Sequence, residues 1–385
     1  MILYEMIDYS ILKMIWWLLL GVLLIGFAVM DGFDMGVGAM LPFVAETDIE
    51  RRVVINTIGP TWEGNQVWFI LGGGAIFAAW PPLYAISFSG FYLAMFVVLA
   101  AMILRPVAFK YRSKRPDPSW RNAWDWALFT GSFVPALVFG VAVGNVLLGV
   151  PFSLDNDLRM TYEGSFFALF SPFSLLCGLL SVTMLVTHGS VWLVMRASGD
   201  IAARARRFGT VTAGLSIALF ALGGYLVASG YVEGFRITSE IDPNMAANPL
   251  AKQAITEGGA WMYNYTVHPI LWLAPGLGFL GLFGTLVLLQ TRFEMPIFLF
   301  SKLAIFGIIS TVGVSMFPFI LPSSIQPEAS LTVWDASSSH RTLFNMLVAT
   351  LIFLPIILVY TAWVYKVLWG KVDEETIERD NHSAY

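Results

Sequence analysis

Residues 11–44 read ILKMIWWLLLGVLLIGFAVMDGFDMGVGAMLPFV. The stretch from Ile11 to Met30 alone is long and apolar enough to cross a bilayer as a helix, which needs about 20 residues. No basic segment precedes it, so it reads as a span and not as a cleavable leader. The run then takes up Asp31 and Asp34 and continues through Met35 to Val44. Carboxylates are costly in hydrocarbon, so acids placed there imply a proton path, an ion site or a buried structural pair. Three positions apart, the two acids share one helix face. One long or broken helix is expected, and the spacing of Gly32, Gly36 and Gly38 allows a neighbour to pack closely against it. A second acidic patch, Trp62-Glu63-Gly64-Asn65-Gln66, opens the next apolar run.

The composition agrees with a membrane protein. The 385 residues are 57% hydrophobic and 12% charged, with mean hydropathy +0.72. A soluble domain carries about 25% charged residues. Fourteen Trp and thirteen Tyr suit two interfacial aromatic belts. The single cysteine, Cys177, excludes an intrachain disulfide and any multi-cysteine metal or iron–sulfur site; in its apolar run it reads as a small buried hydrophobe. The net charge of −4 is mild, and no basic patch with interleaved aromatics points to nucleic acid.

The expected fold is all-α: a polytopic membrane helical bundle of nine transmembrane helices. The apolar runs lie at about 11–44, 53–80, 82–107, 122–149, 164–195, 208–232, 266–291, 297–321 and 343–369. Two four-helix bundles plus one peripheral helix would accommodate them, although no sequence repeat displays that division. The chain reads as a single integral membrane domain over 1–385, with one longer loop at about 231–265. Alternate loops collect most of the 22 Lys and Arg; only Lys13, Arg159, Arg236, Lys252 and Arg341 fall on the other side. The positive-inside rule then makes the N-terminus periplasmic and the C-terminus cytoplasmic. Ser337-Ser338-Ser339 is placed to cap the ninth helix.

In this orientation Asp31, Asp34 and Glu63 fall at similar depths in the cytoplasmic half. Asn65 and Gln66 offer hydrogen bonds to a carboxylate or to water, Trp62 shares a face with Gln66, and Arg105 ends the third run on the same side. Asp125 opens the fourth. Helix-tying polar contacts are one reading of these groups, and a hydrated proton entry is the favoured one. Of the histidines, His382 lies in the tail and His268 and His340 near outer helix ends, so only His188 sits within a span, where it reads as a hydrogen-bonded core residue. One histidine at depth is too few for a multi-haem centre, and Met184 and Met195 read as ordinary apolar packing.

DGFDMGVG at 31–38, GPTWEGNQVWF at 59–69, GGGAIFAAWPPLYAISFSGFYLAM at 72–95, RPVAFKYRSK at 105–114 and RNAWDWALFTGSFVPALVFGVAVGNVLLGVPF at 121–152 carry a resemblance. ANPL at 247–250, GAWMYNYTVHPILW at 259–272, FPFILPSS at 317–324, SLTVWDASSSHRTL at 330–343 and the tail ending ERDNHSAY extend it over nearly the whole chain. Together they resemble subunit II of the cytochrome bd quinol oxidases. The resemblance implies a terminal oxidase of the bacterial cytoplasmic membrane that oxidises quinol, reduces O₂ to water and builds a proton gradient. It implies a heterodimer with subunit I, which holds two haems b and one haem d, joined by small single-helix accessory subunits and lipids. Subunit II would carry no haem; in some members it holds a ubiquinone or menaquinone. The family's inner channel acids match Asp34 and Glu63, with Asp31 and Arg105 beside them. Glu63 stands where the family commonly has Asp, Lys110 where some relatives have an acid, and Trp62 would shape the cavity. A purely structural and assembly role is the alternative, and an independent ion-coupled transporter a more distant one.

Overall fold

The computed structural model describes residues 3–379; His382 and the last part of the tail motif, from Asp380, lie outside the described residues. Its helices are α1 (Tyr9–Val44), α2 (Asp48–Ile58), α3 (Trp62–Ala79), α4 (Pro81–Gly90), α5 (Tyr92–Tyr111), α6 (Pro118–Leu148), α7 (Pro172–Arg196), α8 (Gly199–Ala228), α9 (Tyr263–Val267), α10 (Leu273–Leu288), α11 (Glu294–Met316), α12 (His340–Val367) and α13 (Glu374–Arg379). Three short antiparallel hairpins join them: β1 (Phe152–Leu154) with β2 (Met160–Tyr162), β3 (Glu233–Ile237) with β4 (Ala254–Gly258), and β5 (Phe319–Leu321) with β6 (Leu331–Thr332).

Eight described helices are long and apolar enough to cross a membrane; a ninth crossing arises only if α3 and α4, bent by 120°, count as one. The runs expected at 53–80 and 82–107 are each two helices. Pro60 has no N–H to continue the ladder beyond Ile58, so the first divides into α2 and α3. Trp80 precedes Pro81 and takes a non-helical conformation, which turns α4 away from α3. Phe91 then interrupts the second run between α4 and α5.

α1 is one unbroken helix of 36 residues, about 54 Å at 1.5 Å per residue. It is buried on every side from Asp31 to Leu41. Around this segment stand α3, α6, α7 and α11. Onward packing runs from α5 to α6, α6 to α7, α7 to α8, α8 to α10 and α10 to α11. The helices thus group as α1, α3, α5 and α6, then α7, α8, α10 and α11, with α12 largely exposed at the periphery. Glycine sets the closest approach: a Cβ on Gly36 would collide with the Leu185 carbonyl, and one on Gly189 would meet Gly36.

The connections after α6, α8 and α11 gather at the end opposite to most of the basic residues. Two buried lysines pin the last two of these. Lys13 of α1 donates to the carbonyls of Pro243, Met245 and Trp334, and Lys252 donates to those of Pro249, Glu328 and Ser330. Lys252 also pairs with Asp335 at 2.8 Å. Ser339 caps α12 by accepting from the Thr342 amide. At the other end a capping box starts α2, where Thr47 and Glu50 each accept the other's backbone N–H.

Gly36→Ala should lower the thermal midpoint of the purified protein, by about 1–3 kcal/mol of strain, because backbone and not a flexible side chain stands in the way. Gly21→Ala on the same helix, with open space around it, should leave the midpoint at or slightly above wild type.

Candidate functional site

The buried acids of α1 define the site. Asp31 and Asp34 are both wholly buried, on the face that meets α3 and α5. Arg105 of α5, equally buried, makes a two-pronged ion pair with Asp31: Nη2 donates to Oδ1 at 2.8 Å and Nη1 to Oδ2 at 3.0 Å. Two parallel charge-assisted bonds are what make such a pair tolerable without water. Room for the arginine comes from Gly131 of α6, where a Cβ would stand 2.9 Å from Arg105 Cγ.

Asp34 has no such cation. Its Oδ2 accepts from Asn65 Nδ2 of α3 at 2.7 Å, and Asn65 Oδ1 accepts from the Tyr365 hydroxyl of α12 at 2.6 Å. Asp34 Oδ1 has no hydrogen-bond partner among the described residues, and neither has Arg105 Nε. Two carboxylates facing one guanidinium leave one formal negative charge, which a single proton cancels. A buried oxygen lacking a donor is costly unless a proton or water meets it.

The remaining residues singled out in the sequence divide into several places. Trp62 is buried and stacked on Phe109 with ring centres 5.1 Å apart. Gln66 is half-buried beside it. Glu63 does not join the buried cluster: it is exposed in the first turn of α3. The helix explains this. Asn65 points inward, and a residue two positions earlier lies about 200° around the axis. Similar depth along the chain therefore did not mean a shared pocket. Asp125 belongs to a separate ionic collar near the basic end, where Arg112 and Arg51 pair with it and Arg112 and Arg121 pair with Asp48. Lys110 is exposed at the end of α5.

His188 is fully engaged. Its ring nitrogens lie 2.9 Å from Ser301 Oγ and 3.0 Å from the Val29 carbonyl, and its ring stacks on Phe298. Neither nitrogen is free to ligate a haem iron, and no group of three or more His, Cys, Asp or Glu among the described residues is placed to hold a metal. Cys177 is half-buried against Gly144 of α6.

Tyr365 is the site residue that sequence reasoning missed. It lies 300 positions from Asn65. At the end of the last apolar run, an aromatic residue reads as part of an interfacial belt, and no local signal marks its inward hydroxyl.

The family described as "Cytochrome bd terminal oxidase subunit II" matches residues 12–368. The chain is 51% identical over 382 residues to the cytochrome bd-I ubiquinol oxidase subunit 2 of Escherichia coli (strain K12), covering 99% of this chain and 100% of that protein. It is 49% identical over 385 residues to the probable cytochrome oxidase subunit 2 of Haemophilus influenzae, covering 99% of this chain and 100% of that protein. The solved bd oxidase of Geobacillus thermodenitrificans contains a chain of the same fold, with a TM-score of 0.68 at 17% identity, covering 94% of this chain and 99% of that one.

Asp31→Asn should destabilise the protein by about 3–5 kcal/mol, because it removes the charge that is directly hydrogen-bonded to the buried Arg105 guanidinium. Adding Arg105→Met should recover much of the lost thermal midpoint; no recovery would mean that the pair is not the source of the loss. Outside the spans, burial raises the Glu50 carboxyl, but the Arg204 hydrogen bond and the amides of Glu46 and Thr47 outweigh it and hold the group below its ordinary range. A depressed folded-state value stabilises above the unfolded value and is lost on acidification. The advantage of wild type over Glu50→Gln in thermal midpoint should therefore shrink as the pH falls below the ordinary value of 4.5.

Proposed function

This chain belongs to the cytochrome bd terminal oxidase subunit II family, and from that premise we propose that it forms the proton-conducting and stabilising partner of subunit I in a quinol:O₂ oxidoreductase of the bacterial inner membrane. The eight long apolar helices support a multi-pass membrane protein. The complex carries haem. The donor set here does not suit one, since the one buried histidine among the described residues spends both nitrogens on Ser301 and Val29. We therefore assign the two haems b, the haem d and quinol oxidation to subunit I. Small single-helix subunits and a structural ubiquinone or menaquinone are further components that the family resemblance implies.

The observation that carries the proton reading is Asp34: wholly buried, held by a neutral amide, with one oxygen unpartnered beside the Asp31–Arg105 pair. Such a carboxyl can take up and release a proton without disturbing the ion pair next to it. The basic-rich end of the helices is assigned to the cytoplasm, so protons for water formation enter from there. Glu63, on the outward face of α3, is assigned to the boundary with subunit I, where its carboxylate would hand protons on.

The Asp31–Arg105 pair also ties α1 to α5, which supports a second, scaffolding role. Purification of the complex through a tag on this chain separates the two. Asp34→Asn and Glu63→Gln should each keep the haem spectrum while slowing quinol-driven oxygen uptake by about 100-fold, the lower end of what one general acid–base group contributes. Loss of haem with normal turnover per remaining haem would leave the chain as scaffold only. A preparation free of haem would overturn the assignment.

A further inference from the structure

α12 is mostly exposed, yet its last turns are fastened to the interior. Arg196, at the end of α7, donates to the carbonyls of Leu368 and Gly370, and the Val372 amide donates back to the Arg196 carbonyl at 2.7 Å. Ile377 of α13 is buried near α2, which anchors the segment a second time. These ties fix where Tyr365 sits. Beside its ring is a cavity of about 10 Å³ whose walls include Thr57, Thr61, Trp192, Arg196 and Trp369. That volume is about the least that admits one water, and the hydroxyls of Thr61 and Tyr365 are polar partners such a water needs. The cavity lies between the α2–α3 turn and the chain following α12, at the basic-rich end of the helices.

We propose that Tyr365 is a positioning residue for Asp34, acting through Asn65, and that a water in this cavity steadies the Tyr365 hydroxyl from its other side. The proposal rests on the proton-pathway reading above. The chemistry of the amide supports it. Asn65 offers Nδ2 to Asp34 and Oδ1 to Tyr365, and only this orientation gives the Asp34 oxygen a donor. The Tyr365 hydroxyl selects the orientation by donating to Oδ1. Without that hydroxyl the amide is free to turn its own oxygen toward the carboxyl, oxygen against oxygen. An amide does not carry protons near neutral pH, so Tyr365 and Asn65 aim Asp34 and leave its Oδ1 open for exchange. The relation joins residues from α1, α3 and α12, so a change at the far end of the chain acts on the acid in α1.

The test compares wild type, Tyr365→Phe, Asp34→Asn, the double variant and Thr61→Val in the purified complex. Haem spectrum, quinol KM, oxygen turnover against pH and the solvent deuterium effect are recorded for each. Tyr365→Phe should keep the haem bands and KM, lower kcat by about five-fold as the loss of one hydrogen bond allows, and displace the pH profile. It should add little on top of Asp34→Asn, since both act on one group. Thr61→Val, nearly isosteric, should slow turnover and enlarge the deuterium effect by removing a hydroxyl from the cavity. Slow Asp34→Asn together with a wild-type rate and pH profile in Tyr365→Phe would overturn the positioning role and leave the pathway reading standing. Wild-type behaviour of Thr61→Val would overturn the part given to the cavity. Wild-type turnover in Asp34→Asn would refute the pathway reading, and this inference with it. If Tyr365→Phe lost haem, the residue would be structural and the positioning role refuted, while Thr61→Val would still decide the cavity.

Discussion

The Asp31–Arg105 pair is the constraint around which the first group of helices is arranged. A carboxylate inside a membrane helix is tolerated only with a partner that arrives dry and well aligned. Here the partner is a guanidinium on α5, presented with both terminal nitrogens and given room by Gly131 of α6. Once Arg105 is committed to Asp31, Asp34 is left with an amide, and its spare oxygen is the chemically available group in the cluster. A structural requirement and a functional opportunity thus lie one helical turn apart on the same face.

The same arrangement explains why α1 runs through the centre. Its acid-bearing third is buried on every side, and Gly36 brings α7 so close that backbone meets backbone. Lysines rather than acids do the tying at the other end, where Lys13 and Lys252 engage carbonyls of two long connections. Fixing the two ends by different chemistry lets the outer loops form hairpins without altering the interior.

Much of this was legible in the residues. Apolar runs located the helices, the DGFD spacing put two acids on one face, and Arg105 was a natural partner because it ended a run on the same side. Ser339 was recognisable as a cap. What could not be read was angular. Sequence depth put Glu63 level with Asp34, but rotation about α3 sends Asn65 inward and Glu63 outward. Likewise Pro60 and the Pro81-Pro82 pair divide runs that hydropathy joins. Tyr365 was hidden for a further reason: its role depends on contact across 300 residues, and nothing local distinguishes it from the aromatics of a membrane interface.

The central claim is that a proton bound for O₂ reduction passes through Asp34. Proton uptake from the medium, followed during a single turnover of the complex in sealed vesicles, tests it most directly. The account predicts that Asp34→Asn delays uptake while electrons still arrive from quinol at the wild-type rate. Uptake as fast as wild type in that variant, with haem intact, would contradict it.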